Sequence, residues 1–64
     1  MITEGDKVKL QTGEIAYIAE VLESGVAYIA EIFKVDGSVS TDQISQKDII
    51  SIFREIEHPL SVSI

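Results

Sequence analysis

The sequence predicts an all-β protein, a small closed barrel of five short strands with one helical turn before the last strand. Composition is the first observation, because the 64 residues include eleven Ile and six Val but only three Leu. β-branched side chains pack well on a pleated surface and lose rotamer freedom in a helix. The second observation is a near-repeat, in which segment 15–22 recurs as 26–33 on either side of Ser24-Gly25. Two matching segments around a turn are typical of a hairpin.

The first strand is predicted over Lys7–Gln11, where Val8 and Leu10 alternate with polar residues. The near-repeat that follows allows two interpretations. Its offset of eleven residues also suits a helix with about 3.67 residues per turn. Gly25 would interrupt that helix at a cost of about 1 kcal/mol. We therefore expect the two repeats to form the strands of a hairpin.

The register of this hairpin predicts which side chains face the core. A two-residue loop at Ser24-Gly25 would pair Val21 with Tyr28. A three-residue loop would instead place one Glu on each face and bury a carboxylate at a considerable cost. With the two-residue loop, the charge-free face is predicted to face the core, with both tyrosine hydroxyls at its rim; it consists of Ile15, Tyr17, Ala19, Val21, Tyr28, Ala30 and Ile32. The mixed face consists of Ala16, Ile18, Glu20, Leu22, Ala27, Ile29, Glu31 and Phe33.

The middle of the chain predicts a turn, a strand and a helical turn. Asp36-Gly37 is a turn signal, and a fourth strand is predicted over Val39–Ile44. The segment 45–48 is predicted to form a short helical turn, since the Ser45 hydroxyl can cap it and an acidic residue follows three positions later.

The fifth strand is predicted over Ile49–Ile56, and Pro59 ends it because proline has no N–H to donate to a ladder. Residues 1–56 are therefore the predicted barrel domain. Residues 57–64 are predicted to form a C-terminal tail or an extra edge strand.

A family resemblance extends over Thr3 to Ile52; its motifs are Gly5–Leu10, Gly13, Glu20–Tyr28, Glu31, Asp36-Gly37 and Asp48-Ile49. These motifs resemble a family of small bacterial SH3-like barrels, known only as a domain of unknown function, and more distantly the KOW-type barrels. The resemblance implies a five-strand SH3-like barrel and no established activity. The chain departs from the family pattern at Gly13–Ala16, which lacks a second Gly, and in its extended tail.

Residues suited to catalysis or metal binding are scarce in this sequence. The chain has no Cys and a single His, His58, whereas a metal site usually takes three or four ligands. Glu20 and Glu31 share a predicted face but lie diagonally, which is typical of a solvated charged rim rather than an acid–base pair. We therefore predict no enzyme activity, no metal site and no cofactor.

The charge balance is acidic, with 5 Lys and Arg against 11 Asp and Glu and a net charge of −6. A nucleic-acid-binding protein would be expected to show a basic face, so nucleic acid is not an expected partner. No apolar run approaches the roughly 20 residues that span a membrane, and residues 1–10 lack the apolar stretch of a signal peptide. We expect a cytoplasmic protein with no membrane partner.

The mixed face of the hairpin contains the candidate partner-binding surface, formed by Ile18, Glu20, Leu22, Ile29, Glu31 and Phe33. Exposed apolar patches rimmed by charge mark interaction sites, and an acidic rim steers a basic partner to its surface. The alternative is that the strands bend around the barrel and residues 60–64 cover this surface.

Together these features predict a non-enzymatic protein-binding module. Its most concrete form is a small acidic inhibitor of the immunity or antitoxin type that covers a basic protein such as a nuclease. The alternative is a homo-oligomeric structural or accessory protein, such as a homodimer, in which Ile18, Ile29, Phe33 and the tail pack on a second copy. A KOW-like RNA-binding barrel is a third hypothesis, and it would require a basic surface patch.

Overall fold

The computed structural model describes residues 1–53, and these form five strands and one 3₁₀ turn. The elements are β1 (Lys7–Leu10), β2 (Ile15–Glu23), β3 (Ala27–Phe33), β4 (Val39–Ser45), the turn Gln46–Asp48 and β5 (Ile49–Phe53). All the strand pairs are antiparallel, in the order β4-β3-β2-β1-β5. The predicted all-β fold, with five strands and a helical turn before the last, is confirmed. The predicted extension of strand five to Ile56 and the tail 57–64 lie outside the described residues.

The core lies on one face of this sheet, and side chains from every strand contribute to it. Its buried members are Ile2, Val8, Leu10, Ala16, Ile18, Tyr28, Ala30, Ile32 and Ile44, with Val21, Ile49 and Ile52 packed against them. Because side chains of β4 and β5, the two edge strands, reach the same cluster, the sheet must curl around it as in a small barrel. No charged residue among those described is buried, so packing of apolar side chains holds this core together.

A β-bulge at Ala19 changes which side chains of β2 face the core. Ile18 pairs with Ala30, but Glu20 pairs with Ile29, so Ala19 is an extra residue without a partner. Such an extra residue inverts the alternation of every side chain on one side of it. The prediction that Ile15, Tyr17 and Ala19 face the core is therefore wrong; Ile15 is half-buried and the other two are exposed.

The side chains that replace them in the core are Ala16 and Ile18, which are buried although they were predicted on the mixed face. After the bulge, the prediction of which β2 side chain faces the core is correct, because Val21 pairs with Tyr28 and packs against the core. All of β3 follows the prediction, since Tyr28, Ala30 and Ile32 are buried.

The hairpin itself is confirmed, but its loop is longer than predicted. Glu23 pairs with Ala27, which leaves three loop residues, 24–26, rather than two. A second bulge, at Leu22, compensates for the added residue and preserves the Val21–Tyr28 pair. Because this second bulge preserves the register, the three-residue loop does not bury a carboxylate, and that expectation is wrong. Gly25 adopts a φ of +77° in the turn, where a side chain would be strained.

Tyr28 connects this loop to the 3₁₀ turn. Its ring is almost completely buried, and its hydroxyl accepts a hydrogen bond from the Gly25 N–H at 3.1 Å. The same hydroxyl donates a hydrogen bond to Oε1 of Gln46. The backbone N–H of Gln46 in turn donates to the Val26 carbonyl at 2.8 Å. The hairpin loop and the 3₁₀ turn therefore form one hydrogen-bonded unit at the same end of the barrel.

The 3₁₀ turn is stabilised by the two residues that the sequence singled out. The backbone N–H and the hydroxyl of Ser45 both donate to Oδ2 of Asp48, at 2.9 and 3.1 Å. These hydrogen bonds favour the ionised carboxylate, so they lower the pKa of Asp48 below its ordinary value.

Candidate protein-docking surface

The structure places five of the six predicted surface residues on the outside of the barrel. Glu20, Leu22, Glu31 and Phe33 are exposed, and Ile29 is half-buried. Leu22 and Phe33 retain 47% and 44% of their accessible surface, which is high for large apolar residues.

Ile18 is the exception, because it is only 2% exposed and belongs to the core. Its predicted place on the partner-binding surface is wrong, since the bulge at Ala19 turns this half of β2 over.

The strand β3 positions three of these residues on the outer face, which is the face of the sheet that points away from the core. Ile29, Glu31 and Phe33 alternate with its buried residues and therefore point outward. Glu20 lies directly opposite Ile29 on β2. Neither Glu20 nor Glu31 forms an ion pair within residues 1–53, so both carboxylates are available to a partner.

A row of three aromatic residues, one valine and one lysine extends this surface across the sheet. It consists of Val39, Phe33, Tyr17, Lys7 and Phe53, which lie on the outer face of the five successive strands. The rings of Tyr17 and Phe33 are 5.5 Å apart between centroids and are tilted by 59°, a favourable geometry for aromatic pairs. The Nζ atom of Lys7 lies 5.2 Å from the centroid of the Phe53 ring, within the range of a cation–π contact.

Sequence reasoning missed most of this row. The sequence predicts Tyr17 in the core. It predicts a strand that contains Phe53 but does not indicate which strand pairs with it. The exposure of Tyr17 depends on the bulge at Ala19. The sequence does not reveal this bulge, because the segment 15–19 is apolar at every position and so has no alternation of apolar and polar residues to interrupt.

The charges on the outer face are separated by strand. Glu31 on β3, Tyr17 on β2 and Lys7 on β1 are consecutive cross-strand neighbours. Lys9 lies on β1 opposite Ile15, next to this line. The outer face is therefore acidic on the β3 side and basic on the β1 side. Between them, β2 presents the apolar Ile15 and Tyr17 beside this line and Glu20 beyond the bulge.

A cleft of about 400 Å³ lies on the other side of the molecule, between the β1–β2 turn and β4. Leu10, Ile32 and Ile44 form its floor, and Glu14, Asp42 and Asp48 lie at its rim. Each of these carboxylates already accepts a hydrogen bond from a side-chain hydroxyl of the barrel.

Glu14 also contacts Nζ of Lys34 at 3.2 Å. The Thr12 hydroxyl and then this ammonium group lower the pKa of Glu14 below its ordinary value. Neighbours within the fold thus lower the pKa of two of the cleft's carboxylates, Glu14 and Asp48.

Within residues 1–53, no group of three or more His, Asp or Glu side chains is arranged to hold a metal ion. His58, the single histidine, lies outside residues 1–53. No helix within the described residues has the length and apolar character needed to cross a membrane.

Comparison of the chain with protein-family models, with curated proteins and with solved structures finds no match.

Proposed function

We propose that this protein is a non-enzymatic protein-binding module that docks the outer face of its β2–β3 hairpin on a partner protein. The observation that supports this proposal is the exposed Phe33 ring, which lies beside Ile15 and Val39 on the neighbouring strands and 5.5 Å from the Tyr17 ring on the outer face. Apolar surface removed from water contributes about 25 cal/mol per Å², so a partner gains affinity by covering these side chains.

The chemistry of the partner follows from the charges around this apolar centre. Glu20 and Glu31 rim the hairpin face, and the whole chain carries a net charge of −6. Complementary charges speed the encounter of two proteins and disfavour partners of the same sign. The proposed partner therefore presents apolar side chains within a basic surface.

An inhibitor of the immunity or antitoxin type, bound to a basic protein such as a nuclease, is the most concrete form of this proposal. The small size of the chain, its acidic charge and the apolar docking face all suit a protein that acts by covering another. The resemblance to small bacterial SH3-like barrels is part of the same proposal.

A capture experiment with the full chain tests the proposal. The wild-type protein is immobilised and compared with Phe33→Asp and with Ile50→Asp, a control on the edge strand β5. Ile50 is 53% exposed, so both substitutions place a carboxylate at an already exposed apolar position. We expect wild type and Ile50→Asp to capture the same basic protein from an extract of the source cell.

Binding of that protein to Phe33→Asp should be at least about tenfold weaker, as for a residue at the centre of an interface. It should also weaken with added salt, because surface charges are screened over about 8 Å at physiological ionic strength. Equal binding by the two variants, or capture that does not depend on salt, would contradict the proposed face or its charge complementarity.

A further inference from the structure

We propose that the outer face also binds a second copy of this chain, with a two-fold axis that runs along β2, and that this dimer hides the docking surface from other partners. The dimer goes beyond the proposed function and does not depend on it. Only the competition between dimer and partner rests on that function.

The argument begins with one line of cross-strand neighbours. Thr41, Glu31, Tyr17, Lys7 and Phe53 follow one another on the outer face of β4, β3, β2, β1 and β5. Tyr17 lies in the middle, and the acidic and basic residues flank it at equal spacing. Neighbouring strands are about 4.8 Å apart, so the Glu31 and Lys7 positions are separated by about 10 Å.

Two copies that meet through this face can be related by a two-fold axis in the plane of contact, and its direction decides which charges meet. An axis along β2 exchanges the two sides of the sheet, so Glu31 of each copy faces Lys7 of the other. An axis across the strands keeps the sides in place, so Glu31 faces Glu31 and Lys7 faces Lys7. Like charges placed opposite each other are unfavourable, and of these two directions only the axis along β2 brings Glu31 opposite Lys7.

The apolar residues fit the same axis. Tyr17 and Ile15 lie on β2, so each would pack on its own counterpart, as in other isologous interfaces. Glu20, also on β2 but beyond the bulge, would face its counterpart too, one like-charge contact against the two Glu31–Lys7 contacts. Phe33 pairs with Ile15, and Ile15 with Lys9, so the axis places the Phe33 ring against the Lys9 side chain of the second copy. A lysine over an aromatic ring adds a cation–π attraction.

The shape of the sheet limits the contact to its three middle strands. Because the sheet curls around the core, its outer face is convex, and β4 and β5 bend away from a facing copy. Sheets pack about 10 Å apart, a distance that the long side chains of Glu31 and Lys7 bridge from the two sides. The complementary residues thus lie where two convex faces touch.

Charge reversal on the full chain tests this inference by sedimentation velocity from about 5 to 500 µM, a range that covers moderate affinities. We expect a concentration-dependent dimer for the wild type. Lys7→Glu and Glu31→Lys should each dimerise at least about tenfold more weakly, since every dimer then contains two like-charge contacts. The double variant Lys7→Glu/Glu31→Lys keeps the net charge, restores both opposite-charge contacts and should dimerise like the wild type.

Controls use charges away from the outer face. Lys47→Glu in the 3₁₀ turn and Glu4→Lys before β1 change exposed residues in the same way, and both should dimerise like the wild type. Circular dichroism checks that each variant is folded. A wild type that stays monomeric at about 500 µM, a control that loses the dimer, or a double variant as weak as the single variants would overturn the inference.

Failure of the dimer can be told apart from failure of the proposed function. A monomeric wild type that still captures a protein through Phe33 would overturn the dimer and leave the binding module in place. A charge-dependent dimer without Phe33-dependent capture would do the reverse. If both proposals hold, adding the captured partner should convert the dimer into a complex that contains one copy of this chain.

Discussion

The two halves of β2 face the core with opposite alternation, and they differ because of one extra residue, Ala19. Before Ala19, the side chains of Ala16 and Ile18 face the core; after it, Val21 does. Without the bulge, Tyr17 and Ile15 would be buried and the outer face would lack the centre of its apolar surface. The comparison shows that an extra residue in a strand can create a surface without any change in composition.

The largest expected change in stability is at Ile18, and it contrasts with a small change at the neighbouring Tyr17. Ile18→Ala should lower the free energy of unfolding by about 2–5 kcal/mol, because it removes buried methyl and methylene groups and leaves a cavity. Tyr17→Ala should cost less than about 1 kcal/mol, since its ring packs on the surface. Urea unfolding of both variants measures the difference, and equal losses would contradict the phase that the bulge imposes.

The second comparison is between the two tyrosines of the near-repeat. Tyr28→Phe removes the hydroxyl that accepts from Gly25 and donates to Gln46, and it leaves those groups without their partner. We expect a loss of about 1–2 kcal/mol in the free energy of unfolding. Tyr17→Phe is the matched control, because it makes the same chemical change at an exposed ring and should be almost neutral. A larger effect at Tyr17 would reverse the assignment of the two rings.

A moderate effect is expected at the loop that joins the two repeats. Gly25→Ala places a side chain at a φ of +77°, which costs about 1–2 kcal/mol for an L-residue. No atom lies within 4 Å of the added methyl group, so the loss should come from backbone strain alone. Gly25→Asn should recover part of it, since asparagine tolerates this conformation better. An alanine variant as stable as the wild type, by thermal unfolding, would contradict the turn geometry.

The smallest expected effect is the pH dependence of the stability that Asp48 in the 3₁₀ turn contributes. Hydrogen bonds from Ser45 lower the pKa of Asp48 in the folded protein, so the carboxylate stabilises the fold above its ordinary pKa. That contribution is lost as the pH falls below about 4 and through the lowered value. Asp48→Asn should therefore be less stable than the wild type at pH 7, and the difference should shrink towards pH 2.5. Urea midpoints across this range measure it, and a constant difference would contradict the role of the charge.

Much of the fold could be predicted from the sequence because its signals are local. β-branched segments, glycine turns and the acid three residues after Ser45 predicted the strands, their order along the chain and the 3₁₀ turn. The alternation in β3 predicted its buried face correctly, since Glu31 allows only one phase. The segment Ile15–Ala19 contains no charge to set its phase, so only its contacts with β1 and β3 decide it.

The docking surface was predicted in part for the same reason. Its β3 residues follow from the position of Glu31, whereas Tyr17, Lys7 and Phe53 join it through pairings between strands that are distant in the chain. Such long-range neighbours leave no periodic signal in a single sequence.

The two edge strands of the sheet, β4 and β5, also affect whether the protein aggregates at high concentration. Asp42 places an exposed charge in the middle of β4, and the register of β5 against β1 shifts beside Ile50. Charges and irregularities of this kind discourage strands of separate molecules from joining edge to edge. Fibril growth is thereby opposed at both ends of the sheet, which leaves crowded molecules of this protein to meet through their faces.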